Sequence, residues 1–139
     1  MNNAGNIVAR VSGLSFEATV EHFVGAIESA GMRVFGKIDH GAAAHAAGLS
    51  MPRTIVLLFG NAAKGTPVML AAPQAALDLP LRILVHEVTP ERGCRVAYRP
   101  ISALLQSEGV PQEMVEALDR AQRALFDYLP ANPQRSSQE

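Results

Sequence analysis

The segment RTIVLLFG, residues 53–60, is the strongest indication of the fold in this sequence. Its central residues, Ile55 to Phe59, are all apolar. Successive side chains of a β-strand point to opposite faces of the sheet, so both faces of this strand are apolar. A strand of this kind lies in the interior of a sheet, and another layer of protein must cover each of its faces.

Other segments of the chain predict strands that pair with this one. They are residues 6–13, 32–38, 79–88 and 94–99. The last of them alternates Cys94, Val96 and Tyr98 with Arg95, Ala97 and Arg99, which is typical of an antiparallel strand with one exposed face. Between the strands we expect a loop at 61–67, a short strand at 68–70, a helical turn at 72–78 and a turn at 90–93.

Helical periodicity marks the remaining regions. The first helix follows Ser15, a good N-cap residue, and ends at Gly31; its apolar stripe is Val20, Phe23, Val24 and Ile27. The alanine-rich residues 41–48 predict a helix of about two turns. Pro111 precedes a long amphipathic helix whose apolar face is Met114, Leu118, Ala121, Leu125 and Leu129. We expect one domain over residues 1–129, followed by a disordered polar tail at 130–139.

This order of elements predicts a two-layer α+β fold. Strands in sequence followed by helices favour an antiparallel sheet with helices packed on one face, here with an extra C-terminal helix. The apolar strand at 53–60 then needs cover on its other face as well. A second subunit is the simplest cover, so we expect a homodimer.

Charge and composition exclude several classes of function. The chain has 12 Lys and Arg against 13 Asp and Glu, so the positive excess of a nucleic-acid-binding protein is missing. We see no basic run that would dock on an anionic membrane, no apolar run of the ~20 residues that span one, and no secretion signal. Cys94 is the single cysteine, which excludes an internal disulfide and a Cys-rich zinc site. These features predict a cytoplasmic protein that binds neither nucleic acid nor membranes.

Four short motifs, in this order and spacing, resemble a known family. They are Ile38-Asp39-His40, Phe59-Gly60-Asn61, Gly65-Thr66-Pro67 and the segment ALDLPL at 76–81. Over residues 15–105 the chain is similar to the family called domain of unknown function 302. The resemblance implies a TATA-binding-protein-like order of strand, helix, four strands and helix, and it brings no established activity. The chain departs from the family at Ala62, where proline is expected, which bears on the rigidity of this loop.

Asp39 and His40 form the first candidate site, where a strand ends and the small helix begins. The structural interpretation is that Asp39 caps the helix, since helix N-termini favour an acidic residue. The functional interpretation is that His40 acts as a general base, or as a ligand to a metal or haem. No cap requires a histidine, so His40 is the stronger candidate for chemistry. Asp39 and His40 are accordingly the catalytic candidates.

The remaining candidate residues lie in other segments. Asn61, Lys64 and Thr66 are candidates for lining a small ligand pocket, although Lys64 precedes Gly65 and so does not fit a phosphate-binding P-loop. His86 joins His40 as a candidate metal ligand, provided that folding brings the two together. We interpret Cys94 as a buried, unreactive thiol.

Three functional hypotheses follow from these residues. The leading one is a non-catalytic homodimer that binds a small molecule in a pocket near Asp39-His40 and the 60–67 loop. The second is a metal- or haem-binding protein that uses His40. The third is an acid–base enzyme in which Asp39 orients His40. The sequence identifies no cofactor.

Overall fold

The computed structural model of this protein describes residues 6–89, 93–105 and 109–130. Most of the turn predicted at 90–93 and nearly all of the tail predicted at 130–139 lie outside the described residues.

One antiparallel sheet organises the described part of the chain. Its strands are β1 (Val8–Ser12), β2 (Arg33–Asp39), β3 (Thr54–Gly60), β4 (Leu81–Thr89) and β5 (Gly93–Tyr98). The strand order is β1-β5-β4-β3-β2, and every neighbouring pair is antiparallel. β3 pairs with β2 on one side and with β4 on the other, which confirms that the segment at 53–60 is an interior strand.

Helices connect or follow the strands, and the two longest of them pack against one face of the sheet. They are α1 (Phe16–Ser29), α2 (His40–Ala46), α3 (Ala62–Ala71), α4 (Ile101–Leu104) and α5 (Gln112–Asp127), with a 3₁₀ turn at Pro73–Asp78. The Ser15 side chain accepts a hydrogen bond from the Ala18 N–H of 3.1 Å, as its N-cap role predicts. Gly31 ends α1 at φ +83°, a conformation that glycine adopts without a Cβ clash.

The core lies between the sheet and the two long helices. Ile55, Leu57 and Phe59 of β3 point into it and are buried, whereas Val56 and Leu58 point the other way and are only half-buried. The rings of Phe23 in α1 and Phe126 in α5 lie 5.7 Å apart between their centroids. The α+β prediction is therefore confirmed, with the two long helices packed against one face of the sheet. We call the opposite face the open face, because its β3 residues Val56 and Leu58 are only half-buried by the part of the chain that the structure describes.

The prediction of a loop at 61–67 followed by a strand at 68–70 is wrong. These residues form α3, although Gly65 and Pro67 both disfavour a helix interior. The Asn61 side chain accepts a hydrogen bond from the Ala63 N–H of 2.8 Å and so caps the helix, while Val68 is buried in the core. Ala62 occupies the first helical position, which suits both proline and alanine, so the departure from the family pattern leaves this segment intact.

The buried face of α5 is rotated from the predicted one. Leu118 and Leu125 are buried as expected, and so is Leu129 just beyond the helix. The structure adds Val115, Phe126 and a polar residue, Gln122, whereas Met114 and Ala121 are only half-buried. An apolar pattern leaves out Gln122 because glutamine is polar. Its burial depends on specific hydrogen-bond partners, which the pattern does not show.

Candidate functional site

An apolar row crosses the open face of the sheet. Strand pairing aligns one residue from each strand, in the order Ala9, Ala97, Leu84, Val56 and Ile38. Residues directly opposite each other in an antiparallel sheet have their Cβ atoms about 4.5–5.5 Å apart. The row is therefore a continuous surface of small and aliphatic side chains, and it ends at Ile38, which is 43% exposed.

A cavity of about 500 Å³ opens on this row. Ile38, Val56, Leu84 and Ala97 form its floor, and Ile101 and Leu104 of α4 contribute to its wall. The lining residues with polar side-chain groups are His40, Asp78, Arg82, Tyr98, Arg99 and Gln122. An apolar surface with a few converging polar groups, at this volume, is the usual composition of a small-molecule site.

Two arginines, Arg82 and Arg99, line the cavity. Arg82 precedes Leu84 by two residues on β4, and Arg99 follows Ala97 by two residues just beyond β5. Leu84 and Ala97 are the last paired residues at this end of β4 and β5, so the two arginines lie just beyond that pair on neighbouring parts of the chain. Neither guanidinium has a hydrogen-bond or ion-pair partner among the residues that the structure describes.

Gln122 ties the segment that carries Arg99 to α5. Its Nε2 donates to the Arg99 carbonyl oxygen at 3.2 Å, and its Oε1 accepts from the Ile101 N–H at 2.8 Å. The side chain is 2% exposed, so these bonds satisfy a buried polar group. Nearby, Asp119 accepts from the Ser102 N–H at 3.0 Å. The chain between β5 and α4 is thus held in one position.

The two residues of the first candidate site have different roles. The Asp39 carboxylate accepts a hydrogen bond of 2.9 Å from the Ala42 N–H and caps α2. His40 is the first residue of α2, is exposed, and lines the cavity. Within the described ranges, no hydrogen bond or ion pair joins Asp39 to His40.

The structure does not bring the 60–67 segment to the same pocket. β3 begins beside Asp39, which pairs with Ile55, and it ends at Gly60, which pairs with Arg33. The strand has seven residues, so its ends are roughly 20 Å apart at about 3.3 Å per residue. Asn61 is occupied as the cap of α3 and donates to the Gly31 carbonyl oxygen at 3.2 Å, while Lys64 and Thr66 are exposed on that helix.

A match to a family decides the classification of the chain. The family described as domain of unknown function DUF302 matches residues 8–127. This chain belongs to the DUF302 family.

Other comparisons agree on the fold of this DUF302 chain. A crystal structure of an uncharacterized conserved DUF302 protein from Bacillus stearothermophilus superposes with a TM-score of 0.79 and 14% identity, covering 88% of this chain and 96% of that one. At this identity the likeness establishes the fold alone.

Curated relatives of the DUF302 chain are much longer proteins. It is 42% identical over 73 residues to fluoride-specific ion channel FluC 1 of Brucella suis biovar 1 and to that of Brucella abortus biovar 1. These matches cover 52% of this chain but only 29% and 27% of the two channels. The chain thus corresponds to less than a third of their length. Across residues 6–89, 93–105 and 109–130, no helix has the length and hydropathy needed to cross a membrane.

His86 of the DUF302 chain is not in the cavity lining that contains His40. His86 is half-buried on the open face, where it pairs with Thr54 and Arg95. The described part of the chain contains no group of three or more His, Cys, Asp or Glu placed to hold a metal ion.

Cys94 faces the core rather than the cavity. It is 1% exposed, and burial raises the pKa of its thiol, which disfavours the reactive thiolate. Burial likewise raises the pKa of Tyr98, which lies beside Phe126 at 4.7 Å between ring centroids.

Sequence analysis missed Arg82, Arg99 and Gln122 as site residues. The alternation Arg95, Ala97, Arg99 placed Arg99 on an exposed face, and the sequence Leu81-Arg82-Ile83 carries the same signal for Arg82. Their shared place in the cavity lining depends on the register of β4 with β5, which the sequence alone does not specify.

Proposed function

We propose that this chain is a non-catalytic protein that binds a small molecule in the cavity on the open face of its sheet. The observation that carries the proposal is the cavity itself, with about 500 Å³ of space over an apolar floor and a small set of polar groups at its edge. Preformed sites for small ligands combine these features. His40 is retained as a ligand-binding residue because it lines this cavity, whereas Asn61, Lys64 and Thr66 lie elsewhere.

A homodimer is the second part of the proposal. The support is the exposed apolar surface on the open face, where Ile7 and Ile38 are each 43% exposed beside the half-buried Val56 and Leu84. Contiguous apolar surface of this kind marks interaction sites. A second copy packed on this face would close the mouth of the cavity. Sedimentation equilibrium over a range of concentrations tests this part, and a single species with the mass of one chain would refute it.

Thermal denaturation with a panel of small molecules tests ligand binding. A compound that binds the folded state alone stabilises it by about 2.7 kcal/mol at one hundred times its Kd, so a true ligand raises Tm with concentration. The panel includes organic acids, amines, alcohols, divalent metals and haem. The similarity to part of proteins named fluoride-specific ion channels adds fluoride, with chloride at equal concentration as its control.

A matched pair of variants places any binding in the cavity. Ala97→Leu inserts a larger side chain into the cavity floor. Ala9→Leu makes the same change at the residue of β1 that pairs with Ala97 and that does not line the cavity. Ala97→Leu should abolish the ligand-induced rise in Tm, and Ala9→Leu should preserve it. Equal responses of the two variants, or a panel in which nothing raises Tm, would refute the proposal.

His40 supports a second candidate function, a metal- or haem-binding protein. It is exposed at the edge of the cavity, and imidazole is a common ligand of both. Addition of haem would then give a Soret band that His40→Ala removes and His45→Ala, on the same helix, retains. An acid–base enzyme centred on His40 is the third candidate. It would turn over a substrate with a pH profile that disappears in His40→Ala.

A further inference from the structure

We propose that the ligand of this cavity is an amphipathic carboxylate, with its carboxylate between Arg82 and Arg99 and its apolar part on the row from Ala97 to Ile38. The inference rests on the proposed function, since it names the chemical class of the ligand for the same site.

The placement of the two arginines favours an anion. Two like charges that line one cavity repel each other. Arg82 and Arg99 both line this cavity, just beyond the last pair of β4 and β5, and no carboxylate among the described residues forms an ion pair with either of them. Asp78 also lines the cavity, so the lining carries two positive charges against one negative, while the whole chain has a formal net charge of −1. A bound anion would remove the repulsion that the fold leaves in place.

The head group is expected to be planar and small. Each guanidinium presents a flat fork of N–H donors, which matches the two oxygens of a carboxylate. The backbone at Arg99 is held in position because Gln122 binds its carbonyl oxygen and the N–H of Ile101, which fixes the point from which the Arg99 side chain extends.

The apolar part of the ligand follows from what lies next to the arginines. Leu84 and Ala97 are two residues away from Arg82 and Arg99 on the same strands, which is about 7 Å along a strand. From there the floor continues through Val56 to Ile38 at the sheet edge. A molecule with its carboxylate at the arginines therefore has an apolar surface beneath its other end. A free inorganic anion would leave that surface without a partner.

Isothermal titration with octanoate tests this assignment. The comparison compounds are 1-octanol, octyltrimethylammonium, octyl phosphate and acetate, all below their micellar or solubility limits. Octanoate should bind at least about tenfold more tightly than 1-octanol, since a charge-assisted hydrogen bond typically contributes this factor or more. Acetate should bind too weakly to detect, because it lacks the apolar part.

Three variants assign the effect to residues. Arg82→Gln and Arg99→Gln should each weaken octanoate binding by about tenfold and leave 1-octanol unchanged. Arg95→Gln is the control, because Arg95 is exposed on the same sheet face but does not line the cavity. It should alter octanoate binding by less than about twofold. All three arginines are exposed, so the variants are expected to fold, and their urea unfolding curves check this.

The outcomes separate the ligand class from the binding function. Equal affinity for octanoate and 1-octanol, or octanoate binding that survives both arginine changes, would overturn the carboxylate assignment while the cavity remained a binding site. Tighter binding of octyltrimethylammonium would overturn it in the same way. Tighter binding of octyl phosphate, lost in the arginine variants, would replace the carboxylate by a phosphate. A chain that binds none of the compounds at the cavity, and no member of the wider panel, would refute both proposals.

Discussion

Gln122 provides the sharpest test of how the cavity wall is built. Gln122→Met keeps the length of the side chain and removes both of its hydrogen bonds. The Ile101 N–H is then buried without an acceptor, which typically costs about 1–3 kcal/mol, and the half-buried Arg99 carbonyl loses a donor as well. We expect a loss of about 2–3 kcal/mol in the free energy of unfolding. At about 3–4 °C per kcal/mol for a domain of this size, the Tm should fall by about 6–12 °C.

Urea unfolding monitored by circular dichroism measures this change, with Gln112→Met as the matched control. Gln112 lies on the same helix but is exposed, and its hydrogen bond to Glu116 is in solvent, so its loss should cost less than about 0.5 kcal/mol. Hydrogen exchange supplies a local readout: the Ile101 amide should lose protection in Gln122→Met. If the two methionine variants unfold within about 0.5 kcal/mol of each other, Gln122 does not hold the wall and the reasoning is refuted.

Three further predictions concern residues outside the cavity wall. Asp39→Ala removes the cap of α2, so it should lower the free energy of unfolding by about 1 kcal/mol and speed hydrogen exchange of the Ala42 amide. Asp39→Asn keeps an N-cap acceptor and should behave like the wild type. Equal exchange of the Ala42 amide in both variants would contradict the capping role. The hydrogen bond from Arg53 lowers the pKa of Glu17 below its ordinary value of 4.5. The pair therefore stabilises the fold above pH 4.5, and this stabilisation is lost as the pH falls through the lowered pKa. An NMR titration should show a higher Glu17 midpoint in Arg53→Gln, and an unchanged midpoint would count against the pair. Because burial raises the pKa of the Cys94 thiol and leaves it 1% exposed, a chromogenic disulfide reagent should react with it slowly at pH 8 and quickly in denaturant, and equal rates would show that the thiol is accessible.

The sequence predicted the parts of this fold that depend on local patterns. The consecutive apolar residues of β3, the alternation in β5, the Ser15 cap and the glycine at position 31 each have a local physical cause, and each lies where it was expected. Asp39 is similar: an acid at a strand-to-helix junction predicts a cap, and it is one. α3 was missed because Gly65 and Pro67 are poor helix formers, and tertiary packing of Val68 outweighs that local preference.

The candidate site depends on pairings that a single sequence does not specify. His40 was identified because its residue type stands out, yet its neighbours in the cavity come from β4, β5 and α5. Arg82 and Arg99 are 17 positions apart in the sequence and share the cavity lining only through the register of β4 with β5. The expected meeting of His40 with the 60–67 segment failed for the same reason, since an antiparallel pair places the end of one strand beside the start of the next.

Amide NMR spectra, recorded with the panel compound that raises Tm most, show where on the protein that compound binds. If the open face of the sheet is the binding site, the largest shifts will be those of Ile38, Val56, Leu84 and Ala97, which come from four different strands and lie together only on that face. Shifts centred instead on α3 and the far end of β3, or the absence of any compound that shifts these four amides, would contradict the account.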